Sequence, residues 1–178
     1  MTPTNFVRPS WDEYFMAMAR ITATRANCDR LHTGSVLVKD KRIIATGYNG
    51  APPGLPTCDE VGHLLEDGHC VRTIHAEHNA ILQVARLQGA STEGTTLYTL
   101  YSPCIHCAKY LVAAGIKRVV YDKVYRNPEV IDYLKNASID VDRHQENKNW
   151  LTELRELFKE EATEVKAKEG NVKMEGKR

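Results

Sequence analysis

Residues 75–107 read HAEHNAILQVARLQGASTEGTTLYTLYSPCIHC. Metal-type side chains bracket this stretch in two packets, His75-Ala76-Glu77 at its start and Pro103-Cys104-Ile105-His106-Cys107 at its end. Between them, Ala76, Asn79, Ala80, Leu82, Gln83, Ala85 and Arg86 recur at helical spacing, with a stop near Gly89. Thr95 to Tyr101 is a β-branched and aromatic run, hence a strand. Pro103 suits the first position of a second helix, which Gly115 would end. Two helix starts separated by one strand are therefore expected to converge on one metal.

The residue types fix what such a metal would do. Cys104 and Cys107 form a chelate at a helix start, where free N–H groups and the helix dipole favour thiolates. His75 supplies a third ligand, and three protein ligands on zinc leave a fourth tetrahedral position for water. Zinc can bring the pKa of that water to about 7. Residues two apart on a helix point ~200° away from one another. His75 and Glu77 can therefore serve one site only at the very end of a helix, approached end-on, with Glu77 moving protons. The alternative is a zinc clip that merely staples two helices, and such a site has no use for an unligated carboxylate. His106 is expected at the surface, and His78 in packing or solvent.

Working back towards the N-terminus, residues 50–74 hold Pro52, Pro53, Gly54, Pro56, Gly62 and Gly68 and little apolar periodicity. Loops of this length are uncommon in compact domains and tend to be functional. The chain has five cysteines, and removing Cys104 and Cys107 leaves Cys28, Cys58 and Cys70. With His63 they would form a closed structural zinc site that orders the loop. His63 is preferred to His69 as the fourth ligand because His69 adjoins Cys70. Buried or free thiols are the alternative.

Further out, Ser10 and Glu13 form a capping box for a helix reaching about Asn27. Residues 35–38 and 42–46 are two strands joined by a hairpin at Lys39-Asp40-Lys41, and Asn49-Gly50 is a turn signal. After the second packet come a strand at 118–121, a helix at 129–136 and a weak strand at 139–141. Alternating strands and helices imply locally parallel strands. The expected fold is a three-layer α/β/α sandwich with a mixed sheet of about five strands. It occupies residues 1–145, followed over 146–178 by an amphipathic helix (Trp150, Leu151, Leu154, Leu157, Phe158, Val165) and a disordered tail.

Bulk properties narrow the partners. The chain has 178 residues, 42% hydrophobic and 26% charged, with a net charge of +1. Near neutrality there is no global electrostatic case for nucleic acid or an anionic membrane. No run approaches the ~20 apolar residues of a membrane span, and residues 1–9 carry no signal-type apolar run. A cytoplasmic protein is expected.

With these residues in place the chain resembles the deoxycytidylate (dCMP) deaminases of the cytidine deaminase-like superfamily. The resemblance spans roughly residues 10–145. His75-Ala76-Glu77 with Pro103-Cys104-x-x-Cys107 carries the superfamily part. The dCMP branch is carried by Gly47-Tyr48-Asn49-Gly50-Ala51-Pro52, by Cys58-Asp59-Glu60-Val61-Gly62-His63 and by the run from Gly68 to Glu77. It implies hydrolysis of dCMP to dUMP and ammonia, supplying thymidylate synthesis, with Glu77 shuttling protons. It also implies that backbone at Ala76 and Ser102 brackets the pyrimidine, that Asn49 contacts base or sugar, and that Tyr125 covers the base. A turn role for Asn49 and a core role for Tyr125 are the competing readings. Many members are similar in forming oligomers, often hexamers, activated by dCTP with Mg2+ and inhibited by dTTP. The Gly-Tyr-Asn-Gly loop is the place to look for effectors, and Arg25, Arg30 and Arg72 are candidates for the substrate phosphate. A tRNA adenosine deaminase or riboflavin-pathway deaminase uses the same two packets and is the alternative enzyme reading. A non-enzymatic zinc-binding module is the alternative outside enzymes.

Overall fold

The computed structural model describes residues 8–86 and 90–145, together with Thr152. Residues Ser10–Gln145 form one compact unit. The expected end of a helix at Gly89 and the amphipathic segment from Trp150 to Val165 lie outside the described residues.

Helix α1 (Trp11–Ala23) opens with the expected capping box, Ser10 and Glu13 each bonding the other's backbone N–H. It stops earlier than Asn27. Arg25 and Ala26 turn inward onto the carbonyls of Thr22 and Ala23, and the Thr24 hydroxyl donates to Ile21, so the last turn tightens and ends. Strands β1 (Gly34–Lys39) and β2 (Arg42–Tyr48) form an antiparallel hairpin. Asp40 and Lys41 at its tip both have positive φ, 50° and 59°, which suits a two-residue turn between twisted strands.

The loop that sequence left unstructured holds a short helix α2 (Cys58–Val61) and a miniature hairpin, β3 (Leu65–Glu66) with β4 (His69–Cys70). No periodicity can announce two-residue strands. Helix α3 (Ala76–Arg86), strand β5 (Thr96–Tyr101) and helix α4 (Ile105–Ala113) follow. Pro103 is not the first residue of α4. Cys104 has extended backbone and is the N-cap, its carbonyl accepting from Ala108, so the helix begins two residues after the proline. Gly115 ends it as expected: at φ 70° it lets Gly115 and Ile116 donate to Val112 and Leu111 in a Schellman motif. Strand β6 (Arg118–Lys123), helix α5 (Glu129–Asn136) and strand β7 (Asp140–Arg143) complete the unit.

The main sheet has five strands in the order β2-β1-β5-β6-β7, antiparallel from β2 to β5 and parallel from β5 to β7. Alternation within strands sorts side chains between two cores. Val36, Val38, Tyr98 and Val120 face Phe15, Met16 and Ala19 of α1. Leu37, Leu97 and Val119 face Ala80, Val84, Ala108, Leu111, Val130 and Leu134 of the helices on the other side. This is the expected three-layer α/β/α sandwich.

Two reversals of direction, β2 to β1 and β1 to β5, leave β2 running the same way as β5 and β6. Their carboxyl ends therefore share one edge, where Asn49, Ser102 and Tyr125 emerge. Ligands of open α/β sheets bind at such an edge.

Candidate active site and metal centres

His75 lies just before α3, and its carbonyl accepts from Asn79. Two contacts hold this helix start in place. Gly50 and Ile74 exchange both backbone hydrogen bonds, and the Asn79 side chain donates to the Tyr48 carbonyl. Gly47 allows the close approach. A Cβ there would stand 2.2 Å from the Ala76 carbonyl oxygen and 2.3 Å from the Ala80 nitrogen.

The two packets meet. His75 Nδ1 is 3.5 Å from Cys104 Sγ and 3.5 Å from Cys107 Sγ. Zinc bonds of about 2.3 Å to sulfur and 2.0–2.1 Å to nitrogen place the N···S edge of a tetrahedron at about 3.6 Å. The three donors thus stand at ligand spacing. Cys107, with His75 beside it, draws the Cys104 thiol down to about 3, while Cys104 and burial push Cys107 upward. A cation between the two sulfurs favours ionising both.

Glu77 stands in the first turn of α3 and is only 6% exposed. Its carboxyl reaches back to Cys107 and feels the charge of His75 and Cys104, so it lies at the same helix end as the three donors. Burial pushes its pKa above the ordinary carboxylate value, poising it to carry a proton. His106 is exposed, and His78 stacks on Tyr110 with ring centroids 4.3 Å apart.

A cavity of 180 Å³ opens beside these groups, lined by His75, Glu77, Cys104, Asn49, Ser102 and Tyr125 among others. Asn49 is more than a turn residue. Its Oδ1 accepts from the Thr33 N–H at 2.8 Å and its Nδ2 donates to the Leu31 carbonyl at 2.6 Å. That leaves the second amide proton to offer. Ser102 spends its N–H on Lys123 and its hydroxyl oxygen accepts from the Tyr125 N–H, leaving its carbonyl and its hydroxyl proton to present. Ala76, as first residue of α3, has an N–H with no intrahelical acceptor. Tyr125 packs edge-on to Tyr101, centroids 6.4 Å apart, on the cavity wall and not in either core cluster.

Of the three arginines expected near a phosphate, Arg30 lines this cavity and Arg25 and Arg72 do not; Arg72 donates to the Gly62 carbonyl. Arg126 lines it too, its guanidinium 5.5 Å from the Tyr125 ring centroid. Sequence reading missed Arg126. Its only signal was position, directly after Tyr125 beyond the carboxyl end of a parallel strand.

The second set also comes together. Cys28, Cys58, His63 and Cys70 place their donor atoms within 4.8 Å of one another. Cys58 Sγ is 3.5 Å from Cys70 Sγ, and Cys28 Sγ is 3.8 Å from His63 Nδ1. The other ring nitrogen of His63 lies 3.0 Å from Asp29 Oδ1, the carboxylate partner that orients metal-binding histidines. His69 turns away from this cluster towards Arg126. Burial and the neighbouring thiols push Cys58 up to about 12. Cys70 falls to about 7 because the Arg72 N–H and neighbouring side chains outweigh its burial. A set of four nitrogen and sulfur donors suits a closed structural zinc.

Comparison with known proteins agrees with this chemistry. Residues 9–123 match the family described as the cytidine and deoxycytidylate deaminase zinc-binding region. The chain is 44% identical over 137 residues to ComE operon protein 2 of Bacillus subtilis, covering 76% of this chain and 72% of that one. It is 41% identical over 128 residues to the deoxycytidylate deaminase of Mycobacterium phage D29, covering 65% of this chain and 97% of the relative. Among solved structures, the dCMP deaminase of cyanophage S-TIM5 in complex with dCMP and dUMP superposes with a TM-score of 0.69 at 33% identity. That match spans 78% of this chain and 99% of the phage chain. By its sequence match and by its paired Cys/His packets, the chain belongs to the zinc-binding cytidine and deoxycytidylate deaminase family.

Proposed function

We propose that this protein hydrolyses dCMP to dUMP and ammonia. One observation carries the reading: the buried Glu77 lines one cavity with His75 and Cys104, whose donor atoms lie with that of Cys107 within 4.8 Å of one another. His75, Cys104 and Cys107 would hold the catalytic zinc, which when bound makes a water acidic enough to act at neutral pH. Glu77 takes one proton from the attacking water and delivers it to the pyrimidine ring nitrogen, then takes the second from the new C4 hydroxyl and delivers it to the leaving amine, so both protons of the water are accounted for. The Ala76 N–H and the Ser102 carbonyl are one donor and one acceptor for the pyrimidine edge. Asn49 offers its remaining N–H to base or sugar, and Tyr125 supplies an apolar face. Arg30 and Arg126 give the cavity two guanidinium groups, which recognise a phosphate well. The match to relatives named for deoxycytidylate supports the substrate.

Cys28, Cys58, His63 and Cys70 would hold the structural zinc. Neither Cys/His cluster is the oxygen-rich site that Mg2+ requires, so Mg2+ belongs to a bound dCTP in this reading. Homo-oligomeric assembly, a hexamer, with dCTP activation and dTTP inhibition, is carried by the family resemblance. Exposed Val61, Leu64, Leu65 and Val71 offer apolar surface for it. No described helix is long and apolar enough to cross a membrane. A cytoplasmic setting suits five cysteines of which none is paired in a disulfide.

Ammonia release from dCMP, CMP, deoxycytidine, dCTP and adenosine-containing RNA tests the proposal, with dCTP and dTTP also added as effectors. dCMP is expected to be preferred by at least tenfold. Faster turnover of deoxycytidine than of dCMP would overturn the assignment.

A further inference from the structure

The second metal cluster sits against the substrate cavity. Cys28 and Cys70 both line its wall, and the segments carrying them bear on the two cavity arginines. Arg30, two residues after Cys28, donates from Nη2 to the Gly68 carbonyl at 2.8 Å. His69, directly before Cys70, stands 2.9 Å from Nη1 of Arg126. The tip Gly68–His69 therefore touches both guanidinium groups.

That tip has little else to hold it. The β3–β4 hairpin has two residues per strand, and Leu64 and Leu65 are 54% and 55% exposed. An isolated two-stranded hairpin is marginal even at greater length. The buried groups at its base are Cys58 and the partly buried Cys70 and His63, which are cluster donors. The two apolar cores contain no residue of the hairpin.

We propose that the Cys28/Cys58/His63/Cys70 cluster, acting through His69 and the Gly68 carbonyl, positions Arg30 and Arg126 for the substrate's 5′-phosphate. The metal there is then a determinant of nucleotide-over-nucleoside specificity as well as a staple. This rests on reading the cavity as a dCMP site. With the cluster closed, the hairpin tip holds both guanidinium groups at the cavity mouth. With it open, the tip is released and the arginines lose their common support, while His75, Glu77, Cys104 and both cores keep their contacts.

The test compares the metal-loaded full chain with Cys58→Ser. It measures metal content by mass spectrometry, far-UV circular dichroism, and equilibrium binding of dUMP and of 2′-deoxyuridine. The variant is expected to lose one metal ion per chain and keep its spectrum. Its dUMP affinity should fall at least tenfold and its deoxyuridine affinity change less than twofold. Loss of the metal with dUMP affinity unchanged overturns the coupling, as does an equal loss for both ligands or retention of both metals. If Cys58→Ser does not fold, His69→Ala decides: it should keep both metals and lose dUMP affinity threefold to tenfold, and no loss overturns the proposal. Wild-type protein that binds dUMP no tighter than deoxyuridine sinks the substrate reading itself. A wild-type preference that the variant keeps sinks the coupling alone.

Discussion

Glu77 and Gly47 show how single residues set up the site. Glu77 is buried beside thiols and an imidazole, a location that is costly for a carboxylate and raises its pKa. Glu77→Ala should keep the fold and the metal content yet lower kcat by about 10²–10⁴-fold, the usual worth of a general acid–base. Metal analysis alongside steady-state kinetics checks this, and substantial activity in a folded, metallated variant would refute the role. Gly47 acts through what it lacks. A methyl group there would collide with backbone of Ala76 and Ala80, which cannot swing aside as a side chain can. Gly47→Ala should therefore destabilise the protein by about 1–3 kcal/mol and also reduce kcat, because the strain lands on the helix start that carries His75 and Glu77. Urea unfolding and kinetics on the same preparation would expose the two effects together.

At the scale of elements, polar ties as well as apolar packing bind α1 to the sheet. Asp12 accepts from both terminal nitrogens of Arg118 on β6, at 2.9 and 2.8 Å, and from the Tyr98 hydroxyl on β5 at 2.7 Å. Arg118 also bonds Asp142 on β7 at 2.7 Å, so Asp12 and Arg118 together join α1 to three strands. Chiefly through Arg118, the Asp12 pKa is held below its ordinary value. A depressed folded-state pKa means the fold favours the carboxylate. The contribution is therefore fully present above the unfolded value of about 3.9 and is lost as pH falls through the lower folded value. Asp12→Asn should melt at a lower temperature than wild type at pH 7, and the gap should narrow below about pH 4. Thermal melts from pH 7 to pH 3 would show it, and a constant gap would contradict the assignment.

For the whole molecule, the sheet brings three connections to one edge, and the two Cys/His clusters lie beside it. The β2, β5 and β6 carboxyl ends deliver Asn49, Ser102 and Tyr125, while α3 and α4 aim their starts at the same place. Two zinc ions per chain are expected by elemental analysis. Dialysis against a chelator should abolish activity and raise protease cleavage within residues 58–70 while leaving the β-sheet signal in circular dichroism. One metal per chain in active protein would count against the second site.

Much of this was legible in the chain itself, for physical reasons that differ by feature. Helices, strands and the ligand packets were readable because periodicity and ligand type are local: Ser10 with Glu13, Gly115, and His75 with Glu77 each announce their role over a few residues. Pairing Cys28 with Cys58, His63 and Cys70 followed from counting thiols, and the tertiary structure brings them within 4.8 Å. Only that structure could reveal that Arg126 and Arg30, 96 positions apart in sequence, meet at one hairpin tip. The same holds for Cys104 capping a helix that Pro103 does not begin, and for the two-residue strands within the 50–74 loop. Such contacts depend on which strand edge each loop leaves, a property of sheet order that no short window of sequence contains. The residues of 75–107 determined the chemistry; the shared carboxyl edge of β2, β5 and β6 decided what surrounds it.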